Sequence, residues 1–81
     1  MSASKIKKLI REYFDAYQNA NYALHMFYKT KGKKKKEEFE EEADYYEQQY
    51  ISIAKDIKAE NPSKYMLNKY PEIEDILNEN F

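Results

Sequence analysis

Residues able to carry catalytic chemistry are sparse in this chain of 81 residues, which has one histidine, His25, one glycine, Gly32, and no cysteine. General-base work needs a group with an orienting partner inside a cleft. His25 falls instead on the outward side of a helix whose seam runs through Leu24, beside polar positions such as Arg11 and Gln18. The serines at 2, 4, 52 and 63 sit in no nucleophile-elbow motif. A single glycine cannot build a phosphate-cradling loop. No Glu-x-x-His pair is present to form a carboxylate-bridged metal site. Lack of cysteine removes disulfides, thiolate catalysis and cysteine-held zinc, and fits a reducing cytoplasm. No catalytic residue, metal ligand or cofactor is therefore assigned, and the chain is expected not to be an enzyme.

Charge offers more. Lys5, Lys7, Lys8 and Arg11 form one basic cluster, and Lys31, Lys33, Lys34, Lys35 and Lys36 form a second around Gly32. Such side chains could track phosphates with strongly salt-dependent affinity, and Tyr28 could add base stacking. Lysines at a tight turn are also commonly just solvated, and seven acids follow between Glu37 and Glu47. Glu37, Glu38, Glu40 and Glu41 suit the N-terminal turns of a helix, where the dipole favours anions. Alternatively, Glu37, Glu40, Glu41, Asp44 and Glu47 form a carboxylate face resembling a phosphate backbone, able to enter a basic groove by charge steering. Tyr45 and Ile51 point away from the helix seam and extend that face as partner contacts.

These groups must be positioned by helices. With 42% hydrophobic and 36% charged residues, the chain is too apolar for disorder, and one Gly with two Pro supply too few turns for a sheet protein. From Ser4, a candidate N-cap, Ile6, Ile10, Tyr13, Tyr17, Ala20, Leu24 and Phe27 recur at spacings of four and three, a heptad seam like that of a coiled coil. Leu9, Ala16, Ala23, Phe14 and Tyr28 widen this stripe, so the helix, about residues 4–31, should touch more than one neighbour. Phe39, Ala43, Tyr46, Tyr50, Ile53 and Ile57 define a second seam over about 34–60. Continuing the first seam from Phe27 lands on Lys31, Lys34, Glu38 and Glu41, so the phase breaks. A turn at Gly32, placed at the left-handed C′ position, accounts for the break.

Asn61 as N-cap and Pro62 at N1 would start a short helix through 69. Pro71 then breaks the chain before a last helix through about 79, with Glu72, Glu74 and Asp75 in its first turn. Phe81 either docks or frays. The expectation is an all-α single domain over 1–81: a long antiparallel hairpin turning at Gly32 plus two short C-terminal helices, in a small bundle. A small chain without disulfides needs more core than a hairpin provides. The C-terminal helices folding back, covering Tyr22, Met26, Tyr45 and Ile51, would supply it; a homodimer is the competing way. If those side chains stay exposed, they mark a protein interface.

The formal charge of −1 conceals a dipole: residues 1–36 carry +8 and residues 37–81 carry −9. Lys, Asn, Ile, Tyr and Phe make up 39 of the 81 residues, a bias of AT-rich codons that suggests a low-GC bacterium or a phage or plasmid within one. Neither a signal peptide nor a membrane span is expected, and the basic amphipathic stretch Lys5 to Phe14 is better explained by burial against the second helix than by a membrane. The leading reading is a cytoplasmic, non-enzymatic regulator, inhibitor or adaptor binding a larger protein. The alternative is a small nucleic-acid-binding protein using the two lysine clusters.

Overall fold

The computed structural model describes residues 3–80 and consists of four helices in chain order: α1 (Ala3–Lys29), α2 (Lys33–Ala59), α3 (Lys64–Lys69) and α4 (Glu72–Asn80). Phe81 lies outside the described residues. The two long helices pack antiparallel as a hairpin, and the short pair folds back over one end of it. The result is an elongated all-α bundle with extents of 49 × 21 × 16 Å. At 1.5 Å per residue each long helix spans about 40 Å, so length alone places the two ends of α1 in different surroundings.

The core sits at the end where α1 begins and α2 finishes. Ile6, Ile10 and Tyr13 from α1 meet Ala54 and Ile57 from α2, and Met66, Ile73 and Ile76 close the cluster from above. Each fully buried isoleucine contributes about 2 kcal/mol through removal of apolar surface from water. Beside it, Tyr13, Tyr17 and Tyr50 form a ring cluster, with Tyr13–Tyr50 edge-to-face at 5.5 Å and Tyr17–Tyr50 tilted at 5.1 Å. Offset and edge contacts suit the quadrupoles of aromatic rings better than face-to-face stacking.

Several local expectations are corrected. Ser4 lies inside α1, which already includes Ala3, so it is not the N-cap. The turn does fall at Gly32, but Gly32 is the N-cap of α2 in extended conformation, φ −76° and ψ 127°, rather than a left-handed C′ residue of α1. Lys33 to Lys36 consequently form the first turn of α2, and the acids begin only after it. This arrangement opposes the helix dipole. The left-handed residue is Asn61, φ 49°, which follows the C-cap Glu60 and ends α2. Asn tolerates this region better than most side chains. Ser63, not Asn61, caps α3: its Oγ accepts from the Met66 amide at 3.3 Å. Pro62 is thereby excluded from the helix. In α4 the acids Glu72, Glu74 and Asp75 do occupy the first turn.

The C-terminal helices also cover less than the sequence suggests. Tyr22 and Tyr45 remain 57% and 59% exposed, while Met26 and Ile51 are half-buried. Beyond Tyr17 and Tyr50 the hairpin is a bare helix pair joined through Ala20, Ala23 and Ala43. Six-residue α3 and nine-residue α4 are too short to roof helices of 27 residues.

Candidate functional site

The open half of the hairpin holds the candidate site, and it has two sides. Alanines along its seam bring α1 and α2 close together, which leaves the flanking side chains of each helix facing out along the resulting grooves. On the side that α4 covers lower down, a groove of about 250 Å³ has an apolar floor of Ala20, Leu24, Phe27 and Ala43. Its rim on α2 is acidic, formed by Glu40, Asp44 and Glu47, and Tyr50 closes its lower end. Leu24 is 43% exposed although it continues, seven residues on, the stripe of Ile10 and Tyr17. Those two side chains are packed in the core cluster; no described residue covers Leu24 in the same way.

The opposite side carries the aromatic surface. Tyr45 and Tyr46 meet edge-to-face at 5.2 Å. They are shared by two adjoining shallow concavities, one lined by Glu38, Glu41 and Glu42, the other reaching Glu12, Asp15 and Asn19 on α1. Tyr22, seven residues beyond Asp15, belongs to the same side of α1 by helical periodicity.

The seven residues expected to contact a protein partner are therefore divided. Glu40, Asp44 and Glu47 rim the groove, whereas Glu41 and Tyr45 lie with the opposite surface. Glu37 is exposed on the outward side of α2 between them, and Ile51 is half-buried, so it offers only part of its side chain. Glu12, Asp15, Leu24, Glu38 and Glu42 join these surfaces without a signal in the sequence that marks them as site residues. Leu24 reads as core because its heptad position is a core position, and Glu12 and Asp15 are brought to Tyr45 only by helix pairing.

The basic clusters are not brought together. Lys5, Lys7, Lys8 and Arg11 are at the core end, where Lys5 pairs with Glu60 and Lys8 lies 3.9 Å from Glu12. Lys31, Lys33, Lys34, Lys35 and Lys36 are at the turn, roughly 35 Å from Lys8 at 1.5 Å per residue of α1. Lys35 lies 3.6 Å from Glu38, and the Lys36 ammonium stands 4.7 Å from the centre of the Phe27 ring. Exposed pairs of this kind contribute about 0 to 1 kcal/mol each. The cation over Phe27 adds a contact between α1 and α2 at the turn.

Tyr50 has a phenol raised above its ordinary value of 10.0, first by burial and then by the Glu47 carboxylate, with Tyr13, Tyr17 and Glu79 adding to it. This favours a neutral hydroxyl where the core meets the groove. His25 is exposed. Among the described residues no group of three or more His, Cys, Asp or Glu side chains could hold a metal ion, and no helix is long and apolar enough to cross a membrane. Comparison with protein-family models, curated proteins and solved structures returned no match.

Proposed function

We propose that this chain is a non-enzymatic protein-interaction module, a small regulator, inhibitor or adaptor that binds a larger protein through the acidic, tyrosine-bearing side of its hairpin. One observation carries the reading: Tyr45 stands 59% exposed amid carboxylates from both helices, Glu38, Glu41 and Glu42 on α2 and Glu12 and Asp15 on α1. Tyrosine supplies a large rigid contact at low entropic cost and is enriched at binding hot spots. The surrounding carboxylates steer a basic patch toward it. A partner that ordinarily binds nucleic acid has such a patch, and the acids then stand where phosphates would. An amino-acid composition rich in Lys, Asn, Ile, Tyr and Phe, as AT-rich genomes favour, fits a phage- or plasmid-borne inhibitor.

The test is recovery of partners from nuclease-treated lysate of a low-GC bacterium at physiological salt, using the tagged chain beside E38Q/E41Q/E42Q and Y45A variants. A discrete protein retained by the parent chain and lost from both variants is expected. Equal capture by all three overturns the reading. Material removed by nuclease instead supports the nucleic-acid alternative through the lysine clusters, whose binding must then weaken steeply as salt rises. The separation of those clusters to opposite ends of the rod ranks that alternative second.

A further inference from the structure

We propose that the groove around Leu24 is the docking site of a second copy of this chain, with the open halves of two hairpins overlapping antiparallel to complete a four-helix bundle. The groove lies on the opposite side of the hairpin from Tyr45, so this inference does not rest on the function proposed above.

The open stretch has a defined length. It runs from Tyr17, whose hydroxyl meets Glu79 of α4, to Lys31 at the turn, about 21 Å at 1.5 Å per residue. Below Tyr17 the same stripe of α1, Ile6, Ile10 and Tyr13, is packed in the core that Ile73 and Ile76 of α4 complete. The groove is therefore the open continuation of a layer that α4 covers lower down and does not reach along its whole length. A second copy turned about an axis at Leu24 fits this length, because its own turn then arrives at Tyr17, beside the end of α4.

The sequence of each stripe is self-complementary about that axis. Lys36 stands over Phe27, and Leu24 and Glu40 line the same groove, so these two residues are near one height on the rod. On α2 the groove-side stripe reads Lys33, Lys36, Glu40, Asp44 and Glu47, at offsets of seven and four on each side of Glu40. Antiparallel pairing of two copies sets Lys36 opposite Asp44 and Lys33 opposite Glu47, each pair occurring twice. On α1 the pairing sets Leu24 against Leu24 and brings the large Phe27, three residues after it, within one residue of the small Ala20, four residues before it, so that large and small side chains can interdigitate. An isologous two-fold contact demands this kind of self-complementarity. It also gives a role to the lysines in the first turn of α2, which oppose their own helix dipole. The cost is Glu40, which meets its own copy at the axis.

The chain has no cysteine, so L24C and Y45C each introduce one thiol, at the axis and on the opposite side. Sedimentation equilibrium of the parent chain across the micromolar range should give a dimer mass, and oxidation should crosslink L24C at least tenfold faster than Y45C. K33E/K36E and D44K/E47K should each be monomeric at concentrations where the parent is dimeric, with helical circular dichroism retained. Combining all four changes should restore the dimer, and E40Q should dissociate less readily than the parent. A parent chain that stays monomeric throughout, or L24C that crosslinks no faster than Y45C, overturns the proposal. Failure of the four-fold variant to reassociate, with its fold intact, overturns the register.

Discussion

The Tyr17 hydroxyl donates to Glu79 Oε1 at 3.2 Å, joining α1 to the end of α4 across 62 residues of sequence. This bond marks the line where the covered half of the hairpin stops and the open half starts. It is exposed, so its net contribution is small. Tyr17→Phe keeps the ring against Tyr13 and Tyr50 and should cost about 0.5 to 1 kcal/mol in urea denaturation. Amide exchange should quicken in α4 and stay unchanged in the first half of α2.

Alkaline stability should report Tyr50. Its phenol is raised above 10.0 by burial foremost, then by Glu47 and the neighbouring Tyr13, Tyr17 and Glu79. A folded-state value above the unfolded one means that the stabilisation is fully present below pH 10.0 and is lost as pH rises through the folded value. Tyr50→Phe removes the ionising group. Melting temperatures followed through that window should fall less steeply for the variant than for the parent; an identical fall would show that Tyr50 contributes nothing to the transition.

Truncation should divide the molecule into two classes. Ile57 is fully buried between α1 and the C-terminal helices, and Ile57→Ala should cost about 2 to 5 kcal/mol, a transfer loss plus a cavity. In a domain this small that is a large share of the total stability. Tyr45→Ala, at 59% exposure, should change stability by no more than about 0.5 kcal/mol. Thermal melts of the two variants check the contrast and also confirm that Y45A is a fair binding variant.

Gly32 offers a stabilising change. It caps α2 in extended conformation without a side-chain hydrogen bond, and a Cβ there meets nothing within 4 Å. Gly32→Asp supplies an oxygen to the free amides of the first turn, an anion beside Lys33 to Lys36, and a less flexible unfolded chain. A gain of about 0.5 to 1 kcal/mol is expected. Were Gly32 left-handed, the same substitution would destabilise, so the sign of the change in chemical denaturation tests the backbone geometry directly.

Much of this architecture is legible without coordinates, because it is carried by periodicity. Seven apolar positions from Ile6 to Phe27 and six from Phe39 to Ile57 can share one helix face each only at 3.6 residues per turn, and the phase break between them requires a turn near the one glycine. Pro62 and Pro71 locate the interruptions that follow. What spacing cannot convey is which element lies against a stripe. Ile10 and Leu24 occupy equivalent heptad positions, yet one is 7% exposed and the other 43%. The difference arises from the reach of α3 and α4, a matter of length and direction in space.

The sequence by itself determined the helices and where they are interrupted, though not which residues cap them, together with the reversal of charge along the chain and the scarcity of catalytic groups, since each follows from residue type and local spacing. The tertiary structure alone decided how the acidic block divides. Glu40, Asp44 and Glu47 face one groove and Glu41 with Tyr45 the opposite surface, while Glu12 and Asp15 join Tyr45 from another helix. Helical rotation of 100° per residue scatters neighbours in sequence around the axis, and only the packing partner determines which direction is outward. The lysine clusters, by contrast, stand at opposite ends of a 49 Å rod because most of the 27 residues of α1 lie between them, a separation already legible in the sequence.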